Sequence, residues 1–195
     1  MLDQREGGRL APFVVATIPG ELDTVALAAA GDAEAFAALY ERYLGPVYRF
    51  MAARTGSPEE AADLTQQVFL NAFRAIRRYR AGRAGFAPWL FRIARNLSTD
   101  VSRRRRPTLP IDELPSALQE APHASPEAAA IQGERVRTLH AEVAKLDPEK
   151  QELLALRYAA GLSSREIAAV VGKSEAAVKK QLSRLIEALK EQYID

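Results

Sequence analysis

Apolar residues recur at three- and four-residue spacing through most of the chain, and strand-like alternation is absent. From Asp32 to Arg54 the line Phe36, Leu39, Tyr43, Val47 and Phe50 predicts one helix with a single buried stripe. Ser57 can cap the next helix, Pro58 suits its first position, and Glu60 completes a Ser-x-x-Glu capping box. Its stripe reads Ala61, Leu64, Val68, Ala72, Phe73 and Ile76. Gly82 and Gly85 break a loop between Arg80 and Ala87. Pro88 opens a third helix on Trp89 or Leu90, Ile93, Leu97 and Val101, which runs into Arg103–Arg106 and stops before Pro107.

Residues 107–133 hold five prolines and no Lys or Arg, a composition break that predicts a flexible linker ending at Ser125-Pro126-Glu127. Beyond it, Val136, Leu139, Val143 and Leu146 form another stripe. Asp147-Pro148-Glu149 starts a further helix, with Leu153, Leu154 and Leu156 inside and Gly161 at its end. The expected fold is all-α: two small helical domains over residues 26–106 and 134–195, a linker over 107–133, and a tail over 1–25.

Composition narrows the chemistry. Across 195 residues, 48% are hydrophobic, which suits a globular chain. The absence of cysteine excludes disulfides, thiolate zinc sites and cysteine nucleophiles, and fits a reducing cytoplasm. No apolar run approaches the ~18 residues of a membrane span, so no membrane insertion is expected. The first 20 residues make a poor signal peptide, with one short apolar patch from Phe13 to Ile18. The two histidines, His123 and His140, lie far apart, and no phosphate-cradling glycine loop, catalytic carboxylate pair or metal-ligand spacing appears. An enzyme is not expected, nor a cofactor or a metal.

The net charge of +2 hides its distribution. Residues 74–106 carry eleven arginines against one acid, Asp100, while 107–133 carry four acids and no base. A basic block of this density repels itself, so a polyanionic partner is its natural explanation. A solvated, arginine-rich face is the competing reading, although arginine elsewhere is balanced by acid.

Residues 163–190, SSREIAAVVGKSEAAVKKQLSRLIEALK, have the pattern of a helix-turn-helix. Ser163 and Glu166 can form a capping box, Gly172 can end the first helix, and Ser174 can cap the second or donate to a phosphate. Ala168 suits a close crossing, with Ile167, Val171, Val178 and Leu182 as the small core. An ordinary αα-hairpin is the alternative on pattern alone. The second helix would present Glu175, Ala176, Lys179, Lys180, Ser183, Arg184 and Glu187. Lys179, Lys180 and Arg184 are the long donors for a major groove, with Ser183 beside them, and Arg165 and Lys173 flank positions where phosphates are expected.

Two segments carry a family resemblance. One is DAEAFAALYERYLGPVYRF with ADLTQQVFLNAFRAIRRYR and GFAPWLFRIARNLSTDVSRRRR; the other is LDPEKQELLALRYAAGLSSREIAAVVGKSEAAVKKQLSRL. In this order they resemble regions 2 and 4 of the sigma-70 family, in its extracytoplasmic-function group. The resemblance implies an alternative sigma factor that binds core RNA polymerase and promoter DNA, with an anti-sigma protein as the usual inhibitor. It implies polymerase docking through Asp63, Gln66, Gln67 and Asn71. It implies capture of the melted −10 strand through Arg74, Arg77, Arg78, Tyr79, Arg80, Phe86, Trp89, Arg92 and Arg95, which supply cations and stacking platforms. Trp89 fits a core position equally well, and Phe91 reads as core. The −35 duplex falls to the second helix of the hairpin. That helix opens Glu-Ala-Ala-Val-Lys-Lys-Gln with Arg184 as its one arginine, where family members often open Gly-Thr-Val with several arginines, so no −35 sequence carries over. A helix-turn-helix regulator that is no polymerase subunit leaves the 74–106 block unexplained. A helical RNA-binding protein leaves the C-terminal hairpin without a role.

Overall fold

Short polar breaks divide the chain into helices by capping each new start. In the computed structural model, which describes residues 20–80, 85–104, 139 and 141–191, helix α1 spans Glu21–Ala30 and α2 spans Ala33–Thr55. Asp32 caps α2 by accepting from the Ala35 amide at 3.0 Å. Ser57 caps α3, Pro58–Ala75, by accepting from the Glu60 amide at 3.3 Å. A 3-10 turn, Ile76–Arg78, leads towards α4, Phe86–Arg104. The second unit holds a helical stretch at 141–144, α5 (Pro148–Leu154) continuing as a π turn (Ala155–Ala159), α6 (Ser164–Val171) and α7 (Glu175–Glu191). No strand occurs among the described residues, in keeping with the all-α expectation. The tail before Gly20, the linker with its Ser125-Pro126-Glu127 start, Gly82 and Val136 lie outside the described residues.

The first core forms where α2, α3 and α4 meet. Leu39, Tyr43, Val47 and Phe50 meet Val68 and Ala72, and Phe86, Leu90, Phe91 and Ala94 close it from α4. Phe50 and Phe91 pack edge to face, with centroids 5.7 Å apart. Phe91 is core, as its position implied. Phe73 departs from the expected stripe: it is 58% exposed, and Phe69 is buried instead. Each residue turns a helix by about 100°, so Phe73, one step past buried Ala72, leaves the core for the rim of the α2–α3 contact, where its ring meets Phe36 of α2.

Helix α1 was not legible in the apolar pattern, and its first five residues fall inside the expected tail. Its inner line is Glu21, Val25 and Ala28, of which only Val25 is a large apolar residue. A polar contact anchors it: the Tyr43 hydroxyl donates to Glu21 Oε1 at 2.7 Å, and Arg42 Nε lies 3.8 Å from the same carboxylate. Burial first, then the hydrogen bond and the charge of Glu21, push the Tyr43 hydroxyl pKa well above the tyrosine range.

Tyr43→Phe removes the hydroxyl donor from the buried Glu21 carboxylate, and urea unfolding at neutral pH should show a loss of about 1–3 kcal/mol. The folded pKa is raised, so the wild-type contribution is complete below the unfolded tyrosine value, about pH 10, and falls as pH rises beyond it. The Phe variant should show a flatter stability curve above that pH; an identical alkaline slope in both proteins would reject the linkage.

Candidate nucleic-acid and polymerase interface

The C-terminal hairpin is built by local capping. The Ser163 amide donates to Glu166 Oε2 at 2.8 Å, and the Glu166 amide donates back to Ser163 Oγ at 3.3 Å. This is the capping box the sequence implied. Gly172 takes φ 73, and its amide and that of Lys173 both donate to the Ala168 carbonyl, at 2.9 and 3.1 Å. Ser174 is a cap: its Oγ accepts from the Ala177 amide at 3.2 Å. Ile167, Val178 and Leu182 close the core between α6 and α7, with Ala168 buried at their crossing and Val171 at its edge.

The open face of α7 matches the expected one. Glu175, Ala176, Lys179, Lys180, Ser183, Arg184 and Glu187 are all exposed. Its cations differ in availability. Lys179 pairs with Glu175 at 2.7 Å, one turn earlier, and this contact, aided by Arg165, holds the Glu175 carboxyl below its ordinary value. Lys173 is tied to Glu149 and lies 3.3 Å from Gln181 Oε1. Lys180 and Arg184 make no ion pair among the described residues. Arg165 is exposed at the start of α6.

On α3, Asp63, Gln66 and Gln67 are exposed and Asn71 is half-buried. The same face continues into Leu70 and Phe73, 47% and 58% exposed, beside exposed Tyr40 and Leu44 of α2. Phe36 packs edge-on to Phe73 at 5.0 Å, and Tyr40 to Phe69 at 4.7 Å, so this apolar band is held rigidly. The sequence reading missed Leu70 and misassigned Phe73. The available signal was a second apolar pair, three residues apart, in line with Asp63 and Gln66.

The basic block separates into three groups. Arg74, Arg77, Arg78 and Arg80 are exposed, and the Arg77 guanidinium lies against Gly31 at the end of α1. Phe86 and Tyr79 are not open platforms: they are 2% and 9% exposed. Their rings pack at 5.8 Å, Phe86 meets Tyr43 at 5.4 Å, and half-buried Trp89 covers both at 5.2 and 5.3 Å. The edge-to-face contacts and area buried by four large rings favour this cluster over open display. Arg92 and Arg95 turn towards the second unit. Arg92 Nη2 donates to the Ala169 carbonyl at 3.0 Å, and Arg95 Nε donates to Glu152 Oε1 at 2.7 Å.

A third arginine crosses the same junction: Arg49 Nε donates to the Ala159 carbonyl at 2.9 Å. Ala159 and Ala169 sit in the last turns of their helices, where carbonyls lack intrahelical donors and cations are favoured. Arg54 is the fourth cation there; burial lowers its pKa, partly offset by Glu152. A cleft of about 420 Å³ lies between the units, lined by Arg54, Arg95 and Lys173 and by Glu149 and Glu152. Among the described residues there is no cluster of metal-ligating side chains and no helix long and apolar enough to cross a membrane.

Comparison with known proteins agrees with this architecture. Residues 39–108 match "Sigma-70 region 2" and residues 137–189 match "Sigma-70, region 4". The chain is 33% identical over 186 residues to the ECF RNA polymerase sigma factor SigD of Mycobacterium tuberculosis, spanning 91% of this chain and 87% of SigD. It is 35% identical over 168 residues to the ECF RNA polymerase sigma factor BldN of Streptomyces coelicolor, spanning 86% of this chain and 64% of BldN. The structure of CnrH in complex with the cytosolic domain of CnrY superposes with TM-score 0.64 at 26% identity, covering 89% of this chain and 97% of CnrH. A helix-turn-helix at one end and a three-helix bundle with a basic edge at the other define a transcription factor of the sigma type. The chain belongs to the sigma-70 family, in the extracytoplasmic-function group of alternative sigma factors for transcription initiation.

The hairpin's turn rests on the left-handed Gly172, where an added Cβ meets nothing within 4 Å. Gly172→Ala should therefore cost only the backbone strain, about 1–2 kcal/mol. Gly172→Asn should cost less, since Asn tolerates that conformation. Thermal unfolding of the two variants ranks them; equal losses would reject the strain argument.

Proposed function

We propose that this chain directs core RNA polymerase to promoters by dividing the work among three surfaces. The observation that carries the proposal is the open face of α7, which leaves Lys180 and Arg184 without ion pairs among the described residues on a capped second helix. That helix reads the −35 duplex in the major groove, with Lys179 and Ser183 beside them. Arg165, Lys173 and the Ser174 region hold the flanking phosphates. Lys179 and Lys173 first exchange Glu175 and Glu149 for DNA phosphate.

The α3 face docks on the polymerase. Asp63, Gln66, Gln67 and Asn71 supply polar contacts, and Leu70 and Phe73 supply apolar anchors that a monomer has little reason to expose side by side. The −10 strand follows the exposed Arg74, Arg77, Arg78 and Arg80 and, once freed, Arg92 and Arg95. Trp89, at the edge of the aromatic cluster, is the ring a flipped base reaches without unpacking the core; Tyr79 and Phe86 support it from beneath. The first domain thus starts with α1 at Glu21, five residues before the expected 26, and runs to about 106, and the second spans 134–195. The protein works in the cytoplasm as an initiation factor, with no catalytic step of its own. A protein partner that binds this chain as the cytosolic domain of CnrY binds CnrH would cover these faces, in the anti-sigma role the family resemblance implies.

Two measurements test the assignments. Leu70→Asp with Phe73→Asp should leave the helical circular dichroism intact and weaken core-polymerase binding by about tenfold or more, as should Asp63→Ala with Gln66→Ala. Normal affinity in both pairs would reject the docking face. Lys180→Ala with Arg184→Ala should reduce promoter-duplex binding and make its log–log salt dependence shallower by about 2. An unchanged slope would sink their role in the groove.

A further inference from the structure

The junction between the two units joins residues far apart in sequence through cations. Arg49, Arg92 and Arg95 of the first unit donate to the Ala159 carbonyl, the Ala169 carbonyl and the Glu152 carboxylate of the second, respectively, at 2.7–3.0 Å. Glu152 is 5% exposed and is the one carboxylate buried there among the described residues. It faces both Arg95 and Arg54. The Arg54 Nε is buried and makes no hydrogen bond among the described residues. Glu149, the other carboxylate lining the cleft, is exposed and tied to Lys173. The junction is therefore rich in guanidinium and poor in buried anion.

We infer that Glu152 and the Ala169 carbonyl act as a built-in substitute for DNA phosphate, latching the second domain over Arg92 and Arg95 so that the chain must open before that pair takes the promoter strand. This rests on the proposed phosphate role of Arg92 and Arg95. The chemistry is an exchange of equivalents. A guanidinium stays charged at any physiological pH, so it requires an acceptor in both states. Closed, it has a carboxylate and a helix-terminal carbonyl; open and bound, it has phosphates. Removing the charge of Glu152 alone leaves Arg54 and Arg95 repelling each other in a partly desolvated junction, which weakens closure. Strand binding and opening are then linked, because a strand that occupies Arg95 displaces Glu152.

Small-angle X-ray scattering of the whole chain and fluorescence anisotropy with a labelled single-stranded oligodeoxynucleotide test this together. Glu152→Gln should raise the radius of gyration and tighten strand binding by about tenfold, the population gain from a closed to an open ensemble. Glu152→Lys, which adds a like charge beside Arg54 and Arg95, should expand the chain further, with circular dichroism confirming that its helices persist. Glu142→Gln, the same charge change away from the junction, should alter neither reading. An unchanged radius in both Glu152 variants overturns the latch, as does equal tightening by Glu142→Gln. Adding Arg92→Ala to Glu152→Gln should lower strand affinity again. Full affinity in that double variant rejects the phosphate role, whatever the radius shows.

Discussion

Helix α4 holds the molecule together because its two sides answer to different chemistry. Phe86, Leu90, Phe91 and Ala94 are buried against α2 and α3, and full burial of a Phe or Leu side chain contributes about 1.5–3 kcal/mol. On its other side Arg92 and Arg95 reach α6 and α5. The apolar side fixes where the helix lies. Only then can the polar side present two guanidinium groups, three residues apart, to a second domain. If α4 rolled by one residue the apolar line would leave the core, so the aim of both arginines is set by the packing of Phe91 against Phe50.

The same coupling explains why local reasoning recovered some parts and not others. The Ser163–Glu166 box, the Gly172 turn and the Ser174 cap are short-range devices whose chemistry is complete within a few residues, so the hairpin was legible. The exposed face of α7 followed from periodicity alone. Phe73 was misplaced because Phe69, Leu70, Ala72 and Phe73 are all apolar, and a helix with two apolar lines does not announce which faces the core. Helix α1 was missed because its buried line is a glutamate, a valine and an alanine, with the glutamate satisfied by a tyrosine 22 residues away.

The arginines expose a deeper limit. Their number and spacing pointed to a polyanion, and a sequence gives no means of telling a carboxylate or carbonyl 57 to 110 residues away from a phosphate on another molecule. Each offers oxygen lone pairs at the same distance. Aromatic residues interleaved with arginine pose the same problem. Tyr79, Phe86 and Trp89 read as stacking platforms, yet stacking upon one another is equally good chemistry and buries more area. In both cases the residue types were legible and their contacts within the fold were not, because those contacts are settled by tertiary packing.

That ambiguity is itself informative about how such a chain works. A surface built for nucleic acid is hard to leave idle, because guanidinium groups cannot shed their charge and fixed aromatic faces are costly to expose. The protein resolves this internally: Glu149 holds Lys173, Glu175 holds Lys179, and Glu152 holds Arg95. Under the proposed DNA roles each pairing sets a nearby carboxylate where a phosphate would sit, and two of the three are exposed and weakly held. In the third the carboxylate is buried and the guanidinium partly exposed; the pair spans the junction beside two arginine contacts to helix-terminal carbonyls, and under the proposed latch its exchange parts the two domains. Under the latch proposed above, duplex contacts on α7 form while the chain is closed, whereas Arg95 gives up Glu152 and exposed Arg92 gives up the Ala169 carbonyl as it opens. Under that proposal, the order in which this protein engages its DNA follows from which of its carboxylates is buried.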